Sequence, residues 1–306
     1  MDIFLITGGG GFIGSHLADA LLASGAGVRI LDDFSTGKRA QIDPRCDLVV
    51  GDVGDAALLG GAMAGVAGCF HLAAIASVAR GNADWRGTHR TNQGGSIAVF
   101  EAARDAGRLP VVYASSAAVY GDLGAAVARE DTACAPRTAY GADKLGSELH
   151  ARVAWQVHGV PTLGLRFFNV YGARQDPSSP YSGVVSIFAA RLARGEALTL
   201  HGDGSQTRDF VHVGDVVAHL RAAMRVLRGT PGARVLNVCT GRASSVRDLA
   251  GAMARLIGTV PAFTHGPARP GDIARSLGDP AQAINVLGIE AKTVLEQGLA
   301  QTFTAP

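Results

Sequence analysis

Tyr140 and Lys144 stand four residues apart, as Tyr140-Gly141-Ala142-Asp143-Lys144, inside a helical pattern over residues 140–158. That spacing puts both on one helix face, about one turn apart. A tyrosine hydroxyl with a pKa near ~10 is a poor base at neutral pH, and an adjacent ammonium favours the phenolate. The chain has only three lysines, Lys38, Lys144 and Lys292, so one beside a tyrosine is informative. Taken alone, the pair also reads as two surface side chains. Ser115-Ser116, directly after the apolar run 109–114, shifts the balance. A serine at the carboxyl end of a strand, with a Tyr/Lys pair downstream, gives one substrate oxygen both a hydroxyl donor and a base.

A second pattern opens the chain. Thr7-Gly8-Gly9-Gly10-Gly11-Phe12-Ile13-Gly14 lies between an apolar run and a helical pattern. It reads as GxGxxG from Gly9 or as GxxGxxG from Gly8. Both need glycine for a tight turn, for backbone approach to a pyrophosphate and for close helix–sheet packing. The following helix start offers free N–H groups and a positive dipole end. Asp32, at the end of the second apolar run, has the spacing of a ribose-binding acid. A carboxylate there accepts from a 2′-hydroxyl and repels a 2′-phosphate, which favours NAD over NADP.

These groups need a scaffold that holds strand ends beside helix starts. Short apolar runs at 3–7, 28–31, 47–50, 69–72, 109–114 and 162–167 alternate with helical patterns at 12–24, 56–63, 94–106 and 140–158. This alternation predicts an α/β fold, a doubly wound parallel sheet of the Rossmann type. After Gly172 the texture changes to loops, short strands (198–200, 209–213) and two final helices, which predicts a smaller C-terminal substrate-binding α/β domain. The division expected is 1–168, rejoined by about 206–238, against 169–205 with 239–306. With 47% hydrophobic and 18% charged residues over 306, disorder is excluded. A net charge of +2 with scattered arginines gives no case for nucleic acid. Cys46, Cys69, Cys134 and Cys239 form no CxxC pair and have no histidine at metal spacing, so reduced thiols and no metal are expected. Residues 58–79 are uncharged and long enough to span a bilayer, but four glycines and His71 read better as a turn and a buried strand. With no signal-peptide pattern at the start, a cytoplasmic protein is expected.

The chain resembles the extended short-chain dehydrogenase/reductases and, among them, the nucleotide-sugar 4-epimerases. The resemblance rests on residues 7–14, Asp32, Asp52-Val53, His71-Leu72-Ala73-Ala74, Asn92, residues 115–121, Tyr140/Lys144, Arg166-Phe167-Phe168-Asn169 and Arg269-Pro270-Gly271-Asp272. It implies NAD held by Gly8, Gly11, Phe12, Ile13, Gly14, Asp32, Asp33, Asp52, Val53, Leu72, Ala73, Ala74, Asn92, Ser115, Tyr140, Lys144 and Phe167. Asp52 and Val53 would meet the adenine, and Asn92 the ribose or substrate end. Ser116, Tyr140 and Lys144 would be catalytic. Ser116, Asn169, Val184, Thr199, His201, Arg208, Arg269 and Asp272 would hold a UDP-sugar. The segment 80–85 lacks the family's usual Ser and Pro, so no contact is placed there.

The dehydratase and decarboxylase branches carry an acid just after the active hydroxyl; this chain has Ala117-Ala118. Alanine moves no proton. The expected reaction is therefore 4-epimerisation of UDP-hexoses through a 4-keto sugar. Tyr140 takes the O4 proton, Ser116 orients O4 and Lys144 holds the phenolate. The alternatives are a UDP-uronic acid or dTDP-sugar 4-epimerase or reductase and, more remotely, a non-catalytic NAD-binding regulator. In the family, a residue shortly after the Arg-x-Gly-Asp loop walls the sugar's C2 side. Here it is Ser276, small enough to admit an acetamido group, so UDP-GlcNAc and UDP-GalNAc join UDP-glucose and UDP-galactose as expected substrates. A homodimer is also implied, joined by helices 94–106 and 140–158, with Ala142, Leu149, Ala151, Val153 and Val157 facing outward.

Overall fold

The computed structural model describes residues 1–76, 78–175, 183–267 and 273–304. The first half runs β1 (Ile3–Thr7), α1 (Phe12–Ala23), β2 (Gly27–Asp32), β3 (Asp47–Val50), α2 (Ala56–Met63), β4 (Gly68–His71), α3 (Val78–Ala83), α4 (Trp85–His89), α5 (Gly95–Asp105), β5 (Val111–Ser116), α6 (Ala139–His158) and β6 (Thr162–Phe167). The second half runs β7 (Asn169–Tyr171), α7 (Val184–Ala193), β8 (Leu198–His201), β9 (Thr207–His212), α8 (Val213–Gly229), β10 (Ala233–Val238), β11 (Ala243–Ser245), α9 (Val246–Ile257), β12 (Phe263–Gly266), β13 (Arg275–Ser276), α10 (Ala281–Leu287) and α11 (Leu295–Thr304).

Seven of these strands form one parallel sheet in the order β10-β6-β5-β4-β1-β2-β3. Strand β6 is buried along its whole length, as covering both faces demands, and its two polar side chains, Thr162 and Arg166, are taken up by Ala151 O and Glu148. On one face Leu17, Leu21, Leu220 and Leu227 of α1 and α8 pack on Phe4, Ile6 and Ile30. On the other, Leu59, Met63, Val99, Phe100, Ala151 and Ala154 of α2, α5 and α6 pack on Leu5, Leu31 and Tyr113. Strand order reverses at β1, whose neighbours are β2 and β4, so a crevice opens at the carboxyl ends of β1 and β4.

The later elements enclose a third apolar cluster, with Tyr171, Phe188, Leu200, Phe210, Leu249, Met253 and Leu299 at its centre. There β9 pairs with β7 and β13 in parallel and with β11 antiparallel, while β8 pairs with β12.

Two expectations need correction. Ala151 does not face outward: it is 1% exposed, against 53% for Leu149 and 69% for Val157. Its turn of α6 lies over the sheet, where only a small side chain fits. Strand β5 runs two residues past Ala114, so Ser115 and Ser116 belong to the strand itself. The uncharged stretch 58–79 contains α2 and β4, and no described helix is long and apolar enough to cross a membrane.

Candidate active site

The crevice is a cleft of about 690 Å³. Its wall at the first strand end is the glycine turn. Gly8 has φ +73° and approaches the main chain of Ala73 so closely that a Cβ would lie 2.6 Å from the Ala73 nitrogen. Gly14 packs on the Gly8 carbonyl with no room for any side chain. A turn this tight leaves the α1 start open as a cradle for phosphate oxygens. The carboxylate of Asp32, buried at the end of β2, accepts from Gly10 N on one oxygen and Phe34 N on the other, both at 2.8 Å. Burial raises its pKa, and the two N–H bonds pull it back. Asp32 therefore fixes the turn and keeps lone pairs for a ribose diol. Gly11, Phe12, Ile13, Asp33, Asp52, Val53, Leu72, Ala73 and Ala74 line the same cleft. The donor chemistry and the glycine cradle fit a dinucleotide.

The reactive end lies where β5 meets α6. Thr138 caps α6 by accepting from Gly141 N at 3.1 Å, which places Tyr140 in the first turn. The Tyr140 hydroxyl lies near the Ser116 hydroxyl, an interaction that favours the phenolate. Lys144 is 2% exposed, and its Nζ donates to the Ala114 carbonyl at 2.9 Å. The ammonium stands 5.8 Å from the centre of the Tyr140 ring. Burial pushes Lys144 down to about 8, with Asp143 and Glu148 acting against it.

The acidified tyrosine expected from sequence is not built into the chain alone. Burial outweighs the Ser116 interaction and raises the Tyr140 pKa above its ordinary value. The phenol therefore stays neutral at pH 7, near a lysine that is still mostly charged there. Ala117 and Ala118 form a short 3₁₀ turn after Ser116, with no carboxylate at either position.

Asn92 needs a different correction. It is fully buried, and its amide is taken up by Ile75, accepting from Ile75 N at 2.7 Å and donating to Ile75 O at 3.2 Å. It shapes the cleft wall, while its neighbour Thr91 lines the cleft. Ser115 lines the cleft too, but its hydroxyl donates to Glu148. Behind the wall, neutral His71 joins Thr7 Oγ1 (2.7 Å) to Ser96 Oγ (3.1 Å), and burial holds its pKa down at about 3. Thr7 Oγ1 in turn accepts from Ala73 N at 3.3 Å.

Phe167 and Asn169 reach the cleft, together with Phe168, Val170 and Gly183, which the motifs had not singled out. Lys38, Gln41, Arg174 and Gln175 line its outer end; the scarcity of lysine was the one sequence hint toward Lys38. The remaining substrate candidates stand apart from the cleft lining. Val184 opens α7 next to Gly183. Thr199 Oγ1 accepts from Arg191 at 2.7 Å, and His201 Nδ1 lies 3.1 Å from the Pro267 carbonyl. Arg208 donates to the carbonyls of Thr207 and Ile273 at 2.8 and 2.7 Å. Ser276 pairs with Arg208 in the β13–β9 register and is half-buried. Arg269 and Asp272 lie outside the described residues.

The architecture agrees with comparisons to known proteins. The chain is 39% identical to a UDP-glucose 4-epimerase of Mycolicibacterium smegmatis, over 97% of this chain and 96% of that one. A solved structure of UDP-N-acetylglucosamine 4-epimerase from Methanobrevibacter ruminantium, in complex with UDP-N-acetylmuramic acid, superposes with a TM-score of 0.93 at 29% identity, covering 98% of this chain and 96% of that one. Thermus thermophilus UDP-glucose 4-epimerase in complex with NAD gives 0.90 at 34% identity, covering 98% of this chain and 97% of that one. Residues 4–239 match the model of the NAD dependent epimerase/dehydratase family, and the chain belongs to that family.

Proposed function

We propose that this protein is an NAD-dependent 4-epimerase that interconverts UDP-glucose and UDP-galactose and also accepts UDP-GlcNAc and UDP-GalNAc. The observation that carries the reading is the triad Ser116–Tyr140–Lys144 at the floor of a dinucleotide-shaped cleft, with alanines where elimination needs an acid. Gly8, Gly11–Gly14, Asp32, Asp33, Asp52, Val53, Leu72–Ala74, Phe167 and the backbone at Ser115 would hold NAD, which when bound supplies a hydride acceptor and donor at sugar C4. Tyr140 exchanges the proton at O4, and Ser116 holds O4 in line with the phenol. Lys144 keeps a positive charge beside the ring and anchors to β5. Asn169, Val184, Thr199, His201, Arg208, Arg269, Asp272 and Ser276 are the proposed sugar-nucleotide contacts. An arginine fork suits a pyrophosphate.

We divide the chain as 1–168 with about 206–238 for the cofactor, and 169–205 with 239–306 for the sugar nucleotide. Exposed Leu149, Val153 and Val157 on α6, beside α5, support a homodimer through these two helices. Four free cysteines support a reducing, cytoplasmic setting.

The test is a substrate panel. The protein as purified is incubated with UDP-glucose, UDP-GlcNAc, UDP-glucuronic acid and dTDP-glucose, and products are read by NMR. Epimers of the first two, formed with no added cofactor, support the reading. Turnover confined to the uronic acid or the dTDP sugar overturns the substrate assignment. No turnover by protein that still carries NAD would favour a regulator. For the dimer, Val153→Glu should convert a two-subunit mass in light scattering to one; a wild-type monomer at micromolar concentration removes that claim.

A further inference from the structure

Helix α6 presents Tyr140, Lys144 and Glu148 at successive four-residue steps, and each touches the end of β5. Tyr140 lies near Ser116, Lys144 donates to Ala114 O, and Glu148 accepts from Ser115 Oγ. Proton exchange uses the first two contacts and leaves the third unexplained. Glu148 is itself gripped by Arg166, which donates from Nε at 2.9 Å and from its second amino group at 2.7 Å, with both side chains 6% exposed. Arg166 sits opposite Ser115 in the β5–β6 register and continues to the Tyr120 hydroxyl at 2.8 Å. Tyr120 donates to Asn237 at 2.6 Å, and Asn237 donates to the Ala128 carbonyl at 3.0 Å. Ala128 bridges to Gly278, two residues beyond Ser276. A buried chain of hydrogen bonds therefore runs from the catalytic helix to the strand that leads out of the proposed sugar wall.

We propose that Glu148 is a positioning residue for the reaction: by holding Ser115 and Arg166 together, it locks α6 in register with the end of β5 and so sets the alignment of Tyr140 with Ser116. A carboxylate is required because a single side chain must accept from a hydroxyl and from a two-pronged guanidinium at once. Lys144–Ala114 and Glu148–Ser115 then form two ties on the same side of the reacting pair, one and two turns further along α6. Loss of one tie leaves the site assembled but loosely aligned, and small misalignments weigh heavily on rate.

This inference rests on Tyr140 carrying the proton exchange, and Tyr140→Phe tests that foundation separately. The experiment compares Ser115→Ala, Ser115→Thr and Glu148→Gln for kcat, KM, bound NAD, melting temperature and the pH profile. Ser115→Ala keeps the ion pair, so it should fold and melt like wild type, retain NAD and KM, and lose about tenfold in kcat. Ser115→Thr keeps the hydroxyl and should restore kcat. Glu148→Gln removes an anion near Lys144, so the ammonium is shed earlier and the alkaline limb of kcat should move to lower pH. If Glu148→Gln does not fold, the serine pair decides alone. Ser115→Ala with wild-type kcat, or with its loss explained by departed NAD, overturns the proposal. Tyr140→Phe remaining active overturns instead the reading beneath it.

Discussion

Replacing Lys144 by methionine should cost activity and change how stability depends on pH. The ammonium is 2% exposed, and burial brings its pKa from the ordinary 10.5 down to about 8. At about 1.4 kcal/mol for each step of one in pKa, keeping that proton in the folded chain at pH 7 costs about 3 kcal/mol. The direction follows from proton counts. Below pH 8 both folded and unfolded chains hold the proton, and the full cost is present. Between pH 8 and 10.5 the folded chain has shed a proton that the unfolded chain keeps, so wild-type stability rises with pH. Lys144→Met lacks this titration. Its methylene stem fills similar space, while the Ala114 carbonyl loses a charged donor worth about 1.5–3 kcal/mol. Those opposing terms leave the variant roughly as stable as wild type at pH 7. The sharper quantity is the change in stability between pH values, which reports the Lys144 titration and from which every contribution that does not vary with pH drops out. From pH 7 to 9.5, wild type should gain about 2 kcal/mol on Lys144→Met. Urea unfolding of both proteins, freed of nucleotide so that ligand linkage does not enter, measures this directly. Parallel pH dependence in the two proteins would refute the buried-ammonium argument. In the nucleotide-free protein the Lys144 ammonium itself should be shed as pH rises through about 8.

Tyr140→Phe keeps the ring and removes the hydroxyl that meets Ser116, so melting should be nearly unchanged while kcat falls by roughly 10²–10⁴. A near-normal rate would refute the proton-exchange role. Ser276→Tyr places a bulky ring beside Arg208 in the β13–β9 register. It should suppress turnover of UDP-GlcNAc while sparing UDP-glucose, and an unchanged ratio between the two, read by NMR, would show that Ser276 does not wall the sugar.

The parts of the site legible in sequence are those set by local backbone chemistry. Residues 7–14 and Asp32 belong to one βαβ turn, where glycine has a steric reason at each close approach. Tyr140 and Lys144 share a face through helix period alone. The parts that were not legible depend on long-range packing. Asn92 is a polar side chain satisfied by the backbone of Ile75, and nothing in its neighbours distinguishes it from a ligand-facing amide. The tyrosine acidity expected from a nearby lysine failed because burial depth is tertiary, and it raises the phenol as it lowers the ammonium. In α6, apolar residues occupy both faces, so periodicity could not separate buried Ala151 from exposed Val153. The Glu148–Arg166 pair joins a helix to a strand 18 residues on and carries no local signature.

The contact between Lys144 and Ala114 is made to a main-chain carbonyl. Every amino acid carries that oxygen, so no side-chain substitution at position 114 can delete the acceptor; it can only shift it. The anchor of this buried cation is thus insulated from the ordinary drift of that codon, and residue 114 can change while the tie persists. Mutational scanning would score the position by its fit in the sheet and pass over its electrostatic role. Replacing the amide that contains this carbonyl with an ester, whose oxygen accepts more weakly, is the perturbation that would expose it.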